Sequence, residues 1–374
     1  MNIGVPKESA ANEARVALVP DAIKKLRRLE IEVRVERGAG SSSGVADADY
    51  EASGATLVDR ETALGSDVVV AVNVPPDAQL KRGAVLMCLG DPHGNPDRIH
   101  ELASQGVSCI ALELIPRISR AQSMDVLSSM SNLAGYKAAV LAADHLQRIF
   151  PLMMTAAGTV RPAKIFVIGT GVAGLQAIAT AGRLGAVVEA YDIRPDTKEE
   201  VESLGARFIE FDLGAAGTQD SGGYAKELTA QQRARQAELM TQQIQSADVV
   251  ITTALVPGRK APLLIPASVV EGMKPRSVIV DMAAGSGGNC ELSAPDQIVE
   301  RHGVTIIGMT NLPAELAQSS SQLYANNLTN LLKYLLQDGE LRLDREDEIV
   351  SATLVCHEGE VTNDRIKEAL TCSI

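Results

Sequence analysis

The sequence predicts an α/β protein made of two doubly wound, mainly parallel sheets. Three observations carry that prediction. Short apolar runs rich in Val and Ile alternate with helical patterns along the chain, as in βαβ units. One of those runs opens into a Gly-x-Gly-x-x-Gly turn. The 374 residues also exceed what a single hydrophobic core usually supports, at roughly 150 residues per domain. With 45% apolar residues, each domain can bury a core, which excludes a disordered or fibrous chain.

In chain order, the first strands are predicted at Asn2 to Val5, Glu32 to Glu36, Asp67 to Val72, Ala84 to Leu89 and Ser108 to Leu114. Helical patterns at Pro20 to Leu29 and Asp97 to Gln105 lie between them. A long helix is predicted over Asp125 to Phe150, with no Gly-Pro break before Pro151. Strands resume at Lys164 to Ile168, Val187 to Tyr191, Arg207 to Phe211, Asp248 to Thr253, Ser277 to Asp281 and Thr305 to Gly308. A second long helix runs from Leu316 to Leu336. If both long helices cross between domains, the tail returns and the first domain is discontinuous. The expected domains are residues 1–126 completed by 319–374, and residues 127–318. Gly214 to Thr229 is too polar and glycine-rich for a packed element, and reads either as a loop moving over a site or as a plain solvated loop.

The 35 basic and 47 acidic side chains give a net charge of −12. That balance, with a pI near 5.0, argues against nucleic acid as a partner. Aromatic residues are only 3%, with no tryptophan, so stacking platforms are not expected. No run of 18 or more apolar residues escapes interruption by charge, which argues against a bilayer span. The richest stretch, Leu133 to Met154, contains Lys137, Asp144, His145 and Arg148. The N-terminus lacks the basic start and apolar core of a secretion signal and reads as the first strand of a cytoplasmic protein. Cys88, Cys109, Cys290, Cys356 and Cys372 are odd in number and show no Cys-x-x-Cys spacing, so a reducing compartment is expected and no metal site.

The strand Lys164 to Ile168 leads into Gly169-Thr170-Gly171-Val172-Ala173-Gly174, followed by a helical run from Leu175 to Leu184. In such a Rossmann-like turn, Gly169 permits the tight bend, Gly171 lets the backbone approach a pyrophosphate, and Gly174 allows close packing of helix on strand. The free N–H groups and dipole of the helix start then favour the anion. The next strand ends in Asp192, 18 residues past the third glycine, where a carboxylate can bind ribose hydroxyls and repel a 2′-phosphate. That selects NAD(H), with Arg194 the nearby residue able to accommodate the phosphate of NADP. The first sheet has no comparable loop, so the chain supplies one dinucleotide site. Hydride must pass to a small substrate or to a cofactor on another protein.

Between the first sheet and the long helix, Arg117, Gln122, Asp125 and Ser128 set a cation, an amide, a carboxylate and a hydroxyl beside the cleft expected between two such sheets. They could orient a carboxamide without titrating. Asp125 also suits a plain helix cap.

This cluster, with Tyr191-Asp192-Ile193-Arg194, Gly222-Gly223-Tyr224-Ala225-Lys226, Ile251 to Gly258 and Asn311-Leu312-Pro313, resembles the NAD(H)-binding component of proton-translocating nicotinamide nucleotide transhydrogenase. The likeness extends from Gly4-Val5-Pro6-Lys7-Glu8 and Glu13-Ala14-Arg15-Val16 to the last long helix. It implies that the segment holding Arg117, Ile118, Ser119, Gln122, Ser123, Met124, Asp125 and Ser128 holds the nicotinamide and faces the partner nucleotide. It also implies that Val172, Asp192, Ile193, Arg194, Gly223, Ala254 and Leu255 contact the cofactor and that Tyr224 rides on a closing loop. The implied partners are a second copy of the chain and separate subunits that bind NADP(H) and span the membrane, as in the split form, with this chain on the cytoplasmic face.

Alanine dehydrogenase shares the fold and the Glu-x-Arg-Val start, and is the competing reading. That family needs a lysine and a histidine in its first domain and an aspartate by the nicotinamide. Alignment puts Asn73, Asp91 and Gly285 at those positions, and only Arg15 survives. His93, beside Asp-Pro and Gly-Asn-Pro, reads as a solvated loop residue. A third reading is an NAD-sensing module without chemistry. Direct transfer between two nicotinamides needs no general acid or base, only apposition with water excluded.

Overall fold

A computed structural model describes residues 1–76, 79–211, 229–255, 260–337 and 339–372. The chain divides into two compact units, Met1–Ser131 with Pro313–Ile374, and Asn132–Leu312.

The first unit begins with strands β1 (Asn2–Val5), β2 (Glu32–Glu36), β3 (Thr56–Val58), β4 (Val68–Asn73), β5 (Val85–Leu89) and β6 (Ser108–Ala111). The second contains β7 (Met153–Thr155), β8 (Gly158–Val160), β9 (Lys164–Ile168), β10 (Val187–Tyr191), β11 (Arg207–Phe208), β12 (Val249–Thr252), β13 (Val278–Asp281), β14 (Ile298–Arg301) and β15 (Val304–Ile307). The returning tail adds β16 (Leu336–Gln337), β17 (Glu340–Leu341), β18 (Leu354–His357) and β19 (Glu360–Val361).

Among the described residues, the first sheet has eight strands in the order β19-β18-β6-β5-β4-β1-β2-β3. Strands β1 to β6 are mutually parallel, whereas β18 joins β6 antiparallel. The tail therefore completes the first sheet. In the second unit, seven strands run β11-β10-β9-β12-β13-β15-β14, with only β14 antiparallel. Both sheets share one plan: the first strand in the chain lies at the centre, and the connections wind outward on either side of it.

Residue chemistry explains the central positions. Val68, Val69, Val70, Ala71 and Val72 are all buried, as a parallel strand covered on both faces requires. The helix Pro20–Arg27 starts with Pro in its first turn, buries Ala22, Ile23 and Leu26, and ends with Lys24, Lys25 and Arg27, whose charge suits the helix C-terminus.

Several predicted elements end early, among them the strand expected over 207–211, which pairs only at Arg207–Phe208. The run expected over 108–114 pairs only to Ala111, and Leu112–Leu114 forms a 3-10 turn. The Glu113 carboxylate turns back there to accept the N–H groups of Gly90 (3.2 Å) and Asp91 (2.5 Å). The long helix spans Val126–His145, short of Phe150. Beyond it the chain unwinds to bury Leu146 and Phe150, and the Phe150 carbonyl accepts the Ala163 N–H. No described helix is long and apolar enough to cross a membrane.

The long helix meets the second sheet along a seam of small side chains, Ala134, Ala138, Ala139 and Ala142, packed in one core with Ile165, Val167, Ala177 and Ile178. Gly135 lies on that seam. A Cβ there would sit 2.1 Å from the carbonyl oxygen of Ala173, in the first turn of the helix Val172–Arg183. The glycine is thus what lets the two helices touch at that turn. Gly135→Ala should destabilise the protein by about 1–3 kcal/mol through overpacking, read by urea denaturation. An unchanged midpoint would show that the helices separate freely.

Candidate functional site

In the second sheet the winding reverses between β9 and β12, and ligands of such sheets bind at the carboxyl ends of the strands flanking that reversal. The glycine turn leaves β9 there. Gly169 has φ +97, and a Cβ on it would meet Thr253 Oγ1 at 2.5 Å. Thr253 itself donates to the Gly169 carbonyl (3.0 Å), tying the ends of β9 and β12 together. A Cβ on Gly174 would lie 1.9 Å from the Gly169 carbonyl oxygen, so only glycine permits this packing of helix on turn.

Gly171 differs from its neighbours. A Cβ there would meet nothing within 4 Å, so the turn leaves open space over this residue. It is the N-cap of the helix Val172–Arg183, and no side chain caps that helix start. Unpaired N–H groups beside open space make an anion cradle, which fits a dinucleotide pyrophosphate.

Asp192 follows β10 on the adjacent strand. Its Oδ2 accepts the Thr170 N–H (2.8 Å) and hydroxyl (3.0 Å), while Oδ1 accepts the Arg194 N–H at 2.9 Å. The Arg194 guanidinium grips both oxygens at 3.0 Å. Burial by itself would raise the carboxyl pKa, but these hydrogen bonds, led by Arg194, hold it down at about 2. Arg194 is therefore folded onto Asp192 and is not a free cation. Its side chain is 57% exposed and can leave that position without disturbing the core.

Val172, Ile193 and Leu255 are exposed apolar residues at the carboxyl ends of neighbouring strands β9, β10 and β12, Ile193 at 79%. Ala254 is fixed from behind by two residues that the sequence does not mark as important. Buried Asn289 accepts the Ala254 N–H (3.2 Å) and donates to its carbonyl (2.9 Å) and to that of Pro262 (2.8 Å). Asp281, at the end of β13, in turn accepts the N–H groups of Ala283, Asn289 and Cys290 and the hydroxyls of Thr252 and Ser293. Its five donors make Asp281 the anchor of the backbone around β12. The only sequence signal is an acid at the end of an otherwise apolar strand.

In the first unit, Ser119–Met124 forms a 3-10 helix leading into the long helix. Asp125 is indeed a helix cap: its Oδ1 accepts the Ser128 N–H (2.8 Å) and its Oδ2 the Ser128 hydroxyl (2.6 Å). The Ser123 carbonyl accepts both Asn327 Nδ2 and Asn330 Nδ2 at 3.0 Å, from the helix Ala317–Leu335. Arg120 pairs with Asp347 (3.4 Å) and Glu348 (3.6 Å). Met124 is buried at 6% exposure and belongs to the support of this segment. Arg117, Ser119, Gln122 and Ser123 are exposed, and Ile118 is half-buried. The segment is thus rigid backbone presenting polar side chains. Gly223, Tyr224, nearly all of the 214–229 stretch and the Val256-Pro257-Gly258 run lie outside the described residues.

The corresponding reversal in the first sheet, between β1 and β4, is filled by the chain itself. Glu8 accepts the N–H groups of Val72 (2.6 Å) and Asn73 (3.3 Å). Asn73 Nδ2 bridges Glu8 (3.2 Å) and Glu13 (3.1 Å). Arg15 is held by Glu13 through Nε (2.7 Å) and Nη2 (2.6 Å). The one keto-acid residue that survives the alignment with alanine dehydrogenase is thus consumed by an internal ion pair.

Two family profiles match the chain: "Alanine dehydrogenase/PNT, N-terminal domain" over residues 4–134 and "Alanine dehydrogenase/PNT, C-terminal domain" over residues 138–364. It is 48% identical to an NAD(P) transhydrogenase alpha subunit of Rhodospirillum rubrum, over 97% of this chain and 98% of that one. The fold matches the crystal structure of a transhydrogenase from Sinorhizobium meliloti with a TM-score of 0.87 at 46% identity, covering 96% of this chain and 100% of that one. An alanine dehydrogenase of Mycobacterium tuberculosis is 31% identical over 98% of this chain and 96% of its own.

Burial raises the Glu8 carboxyl from its ordinary 4.5 to about 7, against the hydrogen bonds from Val72 and Asn73. The folded protein therefore binds this proton more tightly than the unfolded chain. The stability linked to it is fully present below the unfolded value and is lost as pH rises through about 7. Urea denaturation of wild type and Glu8→Gln should show the difference moving in favour of the variant between about pH 5 and 8. Parallel pH profiles would refute the assignment.

Proposed function

Because the chain belongs to the alanine dehydrogenase/PNT family and is nearer in sequence to the NAD(P) transhydrogenase alpha subunit above than to that alanine dehydrogenase, we propose that it is the NAD(H)-binding subunit of a proton-translocating transhydrogenase. NADH bound here supplies a hydride to NADP⁺ held on a separate subunit. One observation carries the reading. The reversal point of the second sheet is an open glycine cradle beside a carboxylate, while that of the first sheet is closed by Glu8, Glu13, Arg15 and Asn73. One chain then holds one dinucleotide and keeps no keto-acid pocket.

Each residue has a role that follows from its chemistry. The N–H groups of the helix start after Gly171 bind the pyrophosphate, and Gly169 and Gly174 shape the turn that exposes them. Asp192, ionised throughout the neutral range, accepts the ribose hydroxyls once Arg194 swings aside. Val172, Ile193 and Leu255 cover the apolar faces of the nucleotide, and Asn289 holds Ala254 in register for it. Arg117 and Gln122, with the Asp125–Ser128 pair, hold the carboxamide on a segment that Ser123 and Met124 anchor and that Ile118 and Ser119 extend. Gly223 and Tyr224, which the resemblance adds to the cofactor contacts, lie outside the described residues. None of these groups needs to exchange a proton during transfer, which leaves proton movement to the membrane subunits. In this reading the chain works as a homodimer docked on the cytoplasmic face of the membrane through those subunits.

The purified chain should bind NADH and oxidise it only after the NADP-binding component is added, followed by stopped-flow absorbance. Turnover of pyruvate with ammonia by the chain alone would overturn the proposal. Gln122→Asn should slow hydride transfer while leaving NADH affinity near wild type, because the shorter side chain draws its amide back from the group it positions. Asp192→Asn should weaken NADH binding by about tenfold, the worth of one charge-assisted hydrogen bond, and narrow the preference over NADPH.

A further inference from the structure

At the opposite end of the second sheet, before the starts of β12 and β13, lies a cavity of about 250 Å³. It is lined by Gln147, Arg148, Asp248, Lys274, Arg276 and Ser277, with Leu146 and Pro275. We propose that this cavity binds a small phosphate-bearing molecule.

Charge is the first reason. Arg148, Lys274 and Arg276 face one carboxylate, Asp248, so the lining carries two positive charges in excess within a chain of net charge −12. Asp248 accounts for two of the cations, with Oδ1 at 3.2 Å from Arg148 Nη1 and 2.9 Å from Lys274 Nζ. The other carboxylate oxygen takes the Lys164 N–H at 2.8 Å. Arg276 has no acidic partner among the described residues. It donates from Nη1 to the amide oxygen of Gln147 at 2.7 Å, which holds the guanidinium without neutralising it.

The second reason is an unmet polar atom. Ser277 is 2% exposed, and its Oγ has no hydrogen-bond partner among the described residues. A buried hydroxyl left unpaired costs free energy, and such groups call for an explanation. An oxyanion in the cavity would accept from the Arg276 fork and draw the Ser277 hydroxyl, closed off from solvent as it stands, round to face it.

Backbone strain is the third. Arg276 has φ +68, a conformation that L side chains seldom adopt, fixed by its N–H bond to the Gly303 carbonyl. Glycine would fit this turn without strain, and arginine holds it instead. The volume sets the ligand class. It is below the roughly 300–1,000 Å³ of ordinary cofactor pockets, too small for a dinucleotide and sufficient for a phosphate on a short carbon skeleton. Two excess positive charges match a phosphate monoester dianion.

The site is tested by calorimetric titration of the full chain with inorganic phosphate and with glycerol phosphate, at constant ionic strength set by chloride. Saturating NADH is present throughout to occupy the helix start at Gly171. Both ligands should bind at one site. Arg276→Gly removes the guanidinium while easing the turn, and should weaken binding about tenfold or more. Ser277→Ala removes only the unpaired hydroxyl, so it should weaken binding severalfold with no loss of thermal stability in phosphate-free buffer. Equal affinity in wild type and both variants overturns the proposal. Loss of binding when NADH is added overturns it as well, because the phosphate would then lie in the dinucleotide cradle.

Discussion

Where neighbouring parallel strands of a doubly wound sheet send their connections to opposite faces, a crevice opens at their carboxyl ends, and the strands themselves cannot fill it. The backbone N–H groups that end there must be satisfied by something. This chain meets that demand twice and in opposite ways. Beyond β9, glycines strip away side chains and leave the N–H groups of a helix start open. Beyond β1, Glu8 reaches across to accept the N–H groups ending β4. The first solution creates a receptor for an anion. The second supplies a carboxyl group of the chain itself and closes the site.

The closed crevice follows from a change in residue type. An amide at Asn73 can donate to two carboxylates at once, and it does so to Glu8 and Glu13. A charged pair as enclosed as Glu13 and Arg15 is stable only when its remaining hydrogen bonds are met, and the Asn73 amide and the Arg15 N–H meet them. The result is a self-contained polar plug, with Glu8 carrying the burden of burial as a raised pKa. The crevice of the first sheet is thereby closed, and the unit's remaining polar display, at Arg117 to Ser128, rests on side-chain clamps from Asn327 and Asn330.

The sequence is legible where local chemistry and fold agree. Lys164–Ile168 and Val187–Tyr191 stand in the structure with the bounds their apolar runs predict, because each is a central strand bounded by a glycine or an acid. Strands β3, β18 and β19 are not predicted by the pattern of residues. At two to four residues they carry too little periodicity and exist because an edge is available for pairing. The helix cap at Asp125 is visible from spacing alone. Glu8 and Asn73 stand out in the sequence only as members of motifs, because their hydrogen bond joins residues 65 apart in the chain. Asn289 gives no signal for the same reason: its value lies in reaching Ala254, 35 residues away.

The pairing of Asp192 with Arg194 shows how a strongly held carboxylate can still serve exchange. Two of its contacts come from Thr170 inside the turn and keep it ionised and oriented. The guanidinium contacts come from an exposed side chain, so they can be traded for hydroxyl groups. On the proposed reading, each nucleotide that binds replaces the ion-pair bonds from Arg194 with hydroxyl bonds to the same carboxylate, so the net gain at this position is less than the new contacts alone would give. A subunit that takes up reduced nucleotide and releases the oxidised form on every turn benefits from that balance, since tight ribose binding would slow release. On that reading Arg194 moderates affinity while Asp192 preserves selection against a 2′-phosphate, and two residues on one strand end divide work that a carboxylate alone could not do.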